Sequence, residues 1–164
     1  MEAIAREAGV AKATAYAYFP DKEAVFRAVC QQVASRVREG VTAAVASGGP
    51  VEARVSAALL AKFGLVFELV YGSPHAADIL ASSDAHAKAL FEQLDAEVER
   101  QLEGVVQAAA RAREVELPPK ARARDVAELL FWSADGLAGS APSRGALDER
   151  VRLLVRAVLR PGAG

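Results

Sequence analysis

A single cysteine, Cys30, occurs in the 164 residues. No intrachain disulfide is possible, and nothing points to an oxidising compartment. No uncharged apolar run reaches the length of a membrane span, and the opening Met-Glu-Ala-Ile-Ala-Arg-Glu has neither the basic nor the apolar region of a secretory signal. The expectation is a soluble, cytoplasmic protein with no membrane partner. Aromatic residues are only 6% of the chain, and Thr and Ile are few, which removes the usual material of β-sheets. An excess of charge is also missing: 20 basic residues against 21 acidic ones leave a net charge of -1. That excludes a protein coated in basic patches, but a few Lys and Tyr side chains on one small face suffice for site-specific DNA binding. The two histidines, His75 and His86, lack Glu-x-x-His or His-x-x-x-His spacing, and the sequence carries no Ser-His-Asp set and no glycine-rich phosphate loop. Neither a metal site, a cofactor nor enzymatic chemistry is expected.

What is present is 52% hydrophobic content that leans on Ala, Val and Leu, which favours helix. The fold class expected is all-α, and a chain of this length buries roughly 70% of its unfolded surface without staples. Ile4, Ala5 and Ala8 share one side of a short helix over 2–8, ended by Gly9 in the left-handed position after a helix. A second short helix from Lys12 to Tyr18 is stopped by Pro20. Asp21 caps a long third helix, in which Val25, Val29, Val33, Val37, Val41 and Val45 form a ridge that ends at Ser47-Gly-Gly-Pro50. Val55, Leu59, Phe63, Val66, Phe67 and Val70 mark a helix over 51–71, and Ser73-Pro74 opens a short one to Leu80. A long helix over 84–113 turns Leu90, Leu94, Val98, Leu102 and Val105 inward. After the break at Leu117-Pro118-Pro119, Val126, Leu129, Leu130 and Leu137 lie on a helix loosened by Gly136 and Gly139. Ser143 caps the last one, striped by Leu147, Val151, Leu154, Val155 and Val158, and Pro161–Gly164 reads as a frayed tail.

The informative stretch runs from Ile4 to Glu23. A recognition helix must be short, fixed by a tight turn against a supporting helix, and polar at its N-terminal end. Residues 12–19 meet those needs. Ala11, Ala13, Ala15 and Ala17 let the backbone approach a groove closely, and Ala13 or Ala17 can touch a thymine methyl. Two of the three tyrosines, Tyr16 and Tyr18, stand beside Lys12 and Thr14. The competing reading makes the tyrosines core aromatics of a small bundle; Phe19 itself reads as core, wedged with Ile4, Val10 and Val25.

Ile-Ala, Ala-Gly-Val and Thr-x-Tyr-x-Tyr-Phe-Pro-x-Lys occur here in one order and spacing over about the first 30 residues, and in this the chain resembles the tetracycline-repressor (TetR) family. The resemblance implies a helix-turn-helix DNA-binding domain over 1–36 and a helical-bundle regulatory and dimerisation domain over 37–164. It implies DNA contacts from Lys12, Ala13, Thr14, Tyr16, Ala17 and Tyr18, with Lys22 on a phosphate. Departures are Ala11, where the family usually has a capping Ser, and Ala15, where it has Leu. The family also carries a helix before the Ile-Ala segment, so the chain is expected to be an N-terminally shortened form.

For the rest, the resemblance implies a homodimer built from the last two long helices, placed at Leu129, Leu130, Ser133, Leu137, Val151, Leu154, Val155 and Val158, each of which equally suits its own core. It also implies a pocket for a small hydrophobic effector among the middle helices. Phe63, Phe67, Tyr71, His75, His86, Phe91 and Trp132 are the candidates, against ordinary core packing. The function implied is that of a repressor released by its effector from a palindromic operator in double-stranded DNA. The alternative is a dimeric helical protein that binds a small molecule but no DNA.

Overall fold

The computed structural model describes residues 1–71 and 85–162. Among them lie seven helices: α1 (Glu2–Glu7), α2 (Lys12–Tyr18), α3 (Lys22–Ala46), α4 (Val51–Tyr71), α5 (Ala85–Arg111), α6 (Ala123–Ser140) and α7 (Arg144–Val158). The segment assigned to a short helix opened by Ser73 lies outside the described residues.

The caps follow from local chemistry. Asp21 accepts a hydrogen bond from the Ala24 amide at 2.6 Å and so satisfies one of the open N–H groups of α3. Ser143 does the same for α7 through the Ala146 amide at 3.2 Å. On α6, Asp125 accepts from the Arg122 amide at 2.8 Å and from its guanidinium. These contacts pull the Asp125 carboxyl down to about 2, the side-chain hydrogen bond from Arg122 contributing most.

The main core lies where α3, α4, α5, α6 and α7 meet. Helix α4 is central, packing against α3, α7, α6 and α5. Phe63 from α4 meets Phe131 of α6 edge-on, with centroids 5.1 Å apart. Of the valine ridge on α3, only Val37 and Val41 are fully buried, while Val29 is exposed. A step of four residues turns about 40° round a helix of 3.6 residues per turn, so a ridge six valines long cannot keep facing one neighbour.

Two departures from an all-helical chain occur at the end of the bundle. Val115–Glu116 (β1) pairs antiparallel with Arg160–Pro161 (β2), Val115 opposite Pro161. The Gly162 amide extends the pairing by donating to the Glu114 carbonyl at 3.0 Å. Pro161 and Gly162, read as part of a frayed tail, are therefore tied to the chain beyond α5. Pro161 is tolerated because a two-residue edge strand leaves its missing donor unneeded.

Helices α3 and α4 approach closely at Gly40, where a Cβ would stand 3.0 Å from the Ala61 Cβ. Gly40→Val is expected to force the pair apart and cost about 1–3 kcal/mol. Gly104→Ala, at an exposed position of α5 with nothing within 4 Å of the new methyl, should instead stabilise by about 0.5–1 kcal/mol. Urea denaturation of both variants beside the parent protein measures the contrast.

Candidate nucleic-acid interface

The first two helices are joined by a turn whose hydrogen bonds account for its shape. Gly9 takes a φ of +66°, the left-handed conformation that costs glycine no Cβ clash. Its amide donates to the Arg6 carbonyl at 3.2 Å, and the Val10 amide reaches back to Ala5 at 3.0 Å. That pair of bonds is the Schellman ending, which closes α1 and turns the chain sharply into α2. Helices α1 and α2 pack on each other, and the buried residue of each is an alanine, Ala5 and Ala15. Ala11 precedes α2 in an extended conformation without a side-chain cap.

Ala15 fixes which side of α2 faces the protein. At 100° per residue, Ala13 and Ala17 lie about 160° round the helix from it, and both are exposed. They form a low outer ridge. Thr14 and Tyr16 flank that ridge on opposite sides, each about 100° from Ala15. Tyr16 is 46% and Tyr18 77% exposed, so the phenols are not core aromatics. Lys12 and Lys22 are exposed as well. Phe19 is half-buried, as are Ile4 and Val25, whereas Val10 is 42% exposed and does not close that cluster.

Sequence reasoning missed a partner of Lys12. Its ammonium forms an ion pair with Glu2, at the start of α1. The hydrogen bond from Lys12 holds the Glu2 carboxyl below its ordinary value and raises the Lys12 ammonium above its own. Ten residues separate the two, so no helical spacing announces the pair; the angle of the Gly9 turn creates it.

Of the residues assigned to an effector pocket, Phe63 and Phe67 are buried in the core and Phe91 is half-buried against it. His86 is exposed at the start of α5. Trp132 is 59% exposed and lies on the outer surface, its ring edge-on to Phe131 at 5.3 Å; it lines no interior space. The Tyr71 side chain and His75 lie outside the described residues.

The dimer residues divide in the same way. Leu130, Val151 and Val155 are fully buried within the chain's own core, a correction to their placement at an interface. Ser133, Leu137, Leu154 and Val158 are half-buried, and Leu129 is 53% exposed. Leu129, Ala157 and Val158 line a groove of about 520 Å³ together with Leu117, Pro118 and Pro119.

The bundle also contains a charge that sequence reasoning passed over. Lys62, the only charged residue between Arg54 and Glu68, is buried on α4 and forms an ion pair with Asp95 of α5. Its ammonium lies 5.2 Å from the Phe63 ring centroid and 5.3 Å from that of Phe131. Glu99, one turn beyond Asp95, has its carboxyl raised chiefly by burial, then by the charges of Glu128 and Asp95.

Residues 1–29 match the family described as bacterial regulatory proteins, tetR family. No curated protein matches the chain. Among solved structures, a transcriptional regulator from Cytophaga hutchinsonii ATCC 33406 is similar at a TM-score of 0.71 and 21% identity, over 96% of this chain and 86% of that one. The reduced form of NemR from E. coli is similar at 0.73 and 18%, over 100% and 88%. A protein of unknown function from Rhodococcus sp. RHA1 is similar at 0.60 and 18%, over 97% and 84%. At these identities the likeness establishes the fold: an N-terminal helix-turn-helix followed by a helical C-terminal domain.

Proposed function

We propose that this chain, whose residues 1–29 match the tetR family, is a DNA-binding transcriptional regulator that reads its operator with α2. The observation that carries this reading is the outer side of α2, where Ala13 and Ala17 form a low ridge between Thr14 and Tyr16 with Tyr18 exposed alongside. Small residues let the helix axis lie close to base edges in a major groove. The hydroxyls of Thr14, Tyr16 and Tyr18 donate to phosphates or bases, Lys12 is at a base-reading position, and Lys22 reaches a phosphate.

The finer reading is a homodimeric repressor with residues 1–36 on DNA and 37–164 for regulation. Two recognition helices about 34–36 Å apart match successive major grooves of a palindrome. A small hydrophobic effector, bound among α4, α5 and α6, favours a subunit geometry that breaks this match, and operator affinity falls. The buried Phe63 and Phe67 and the half-buried Phe91 belong to the region where such a molecule would wedge the helices apart.

Fluorescence anisotropy with a palindromic duplex from the protein's own upstream region tests the reading. Affinity is expected to fall with salt, because cations on the protein displace counterions from DNA. Lys22→Met should weaken binding to all sequences and lower the log–log salt slope by about 0.9. Tyr16→Phe should weaken binding about fivefold through one lost hydrogen bond. Affinity that stayed flat with salt, in parent and variants alike, would favour the alternative of a small-molecule-binding dimer without DNA activity.

A further inference from the structure

Residues 1–29 carry four basic side chains, Arg6, Lys12, Lys22 and Arg27, against four acidic ones, Glu2, Glu7, Asp21 and Glu23. The segment is therefore electrically balanced, and each cation left unpaired weighs heavily in its attraction for a polyanion. Asp21 is turned into its own helix, accepting from the Ala24 amide. Glu2 instead points across the turn onto Lys12, the one cation that lies on α2 itself.

We infer that Glu2 is a specificity-determining residue, its carboxylate engaging the Lys12 ammonium so that Lys12 adds little to binding of arbitrary DNA. The inference rests on the DNA-binding reading of α2. Non-specific affinity comes from phosphate neutralisation, and a lysine already neutralised releases no counterion when it approaches a phosphate. Both partners are largely exposed, with side-chain accessibilities of 57% for Lys12 and 75% for Glu2, and exposed ion pairs are weak. The pair is therefore easily opened by a better set of acceptors. A guanine presents O6 and N7 together in the major groove, fixed in place by the contacts the rest of α2 makes. A lone phosphate beside a random sequence offers no such fixed geometry.

The test measures operator and scrambled duplexes with the whole 164-residue chain, over a range of salt. Glu2→Gln should raise affinity for the scrambled duplex about five- to tenfold at low salt and steepen its salt slope by about 0.9. Operator affinity should rise less, so discrimination falls. In a Lys12→Met background the same Glu2→Gln change should have no effect on the scrambled duplex.

Three results would overturn the inference. One is an unchanged affinity and slope for scrambled DNA in Glu2→Gln. Another is the same gain in the Lys12→Met background, which would make Glu2 a general repulsive charge. The last is weaker binding of both duplexes with a lower melting temperature, which would make the pair only a staple between α1 and α2. A parent protein that binds neither duplex overturns the DNA-binding reading itself, an outcome separate from these three.

Discussion

Asp95→Ala is expected to destabilise the fold by about 3 kcal/mol or more, the usual cost of leaving one partner of a buried ion pair without the other. The Lys62 side chain is only 8% accessible, while that of Asp95 is 32% accessible, so water replaces the lost carboxylate only in part. The faces of Phe63 and Phe131 attract the ammonium, yet a cation–π contact contributes less than the ion pair it would have to replace. Glu99 limits the damage. It lies four residues from Asp95 on the same face of α5 and already feels Lys62. The full cost, toward 5 kcal/mol, is therefore expected in Asp95→Ala combined with Glu99→Gln.

Lys62→Met should behave oppositely. It keeps the length of the side chain, fills the same space between the two rings and removes the charge that must be desolvated. Exchanges of this kind are often neutral or stabilising, and sulfur packs well on aromatic edges. Thermal melts at one protein concentration measure the asymmetry, with roughly 2–4 °C per kcal/mol for a chain of this size. Equal losses in Asp95→Ala and Lys62→Met would mean that the lysine contributes by packing alone.

Helix ends were legible because they are local. Gly9, Asp21 and Ser143 each act within four residues of their own positions, and their chemistry is written in the residue type. The facing of α2 was only partly legible: Ala15, read with Ala11, Ala13 and Ala17 as a residue that lets the backbone near a groove, is instead buried on the protein side, which leaves Ala13, Ala17 and Tyr16 turned away from it.

Facing was not legible where both sides of a helix are apolar. On α6, Leu129 and Leu130 are adjacent and equally hydrophobic, yet one is 53% exposed and the other fully buried. Only the position of α5 and α7 separates them. Long-range pairings were invisible for a related reason. Nothing local in Val115 or Pro161 signals a strand, because the pairing depends on α5 and α7 ending side by side. Lys12 and Glu2 escaped notice in the same way. Lys62 was legible in principle: a lone charge among twelve apolar or small residues of α4 has to be paired or exposed, and the helix stripe already made its neighbours core.

Trp132→Glu is expected to convert the proposed homodimer into a monomer. Among the exposed large hydrophobic side chains of the C-terminal helices are Leu129, Trp132 and Leu153, at 53%, 59% and 61%. Leu129 and Trp132 are three apart on α6 and share its outer face, while Leu153 is one turn before Ala157 on α7. Leu129 and Ala157 line the same groove, so the apolar side chains run from one helix to the other across it. Exposed clusters of this kind mark association sites, and tryptophan is among the residues that most often dominate them. A two-fold dimer uses the same patch on both subunits, so a substitution acts twice. At about 2 kcal/mol for each loss of such an anchor, the pair amounts to about 4 kcal/mol, roughly a thousandfold in the dimer dissociation constant. The substitution removes the Trp132 ring from the edge of Phe131 but leaves the buried Phe131–Phe63 contact in place. If the proposed dimer forms through this patch, sedimentation equilibrium should show dimers of the parent and folded monomers of Trp132→Glu at the same concentration. Operator affinity should collapse with dimerisation, because one recognition helix holds only half a palindrome. A variant that stayed dimeric would move the interface away from α6, and Leu130→Glu would not substitute for the test, because that side chain is buried in the subunit core and its loss would unfold the chain.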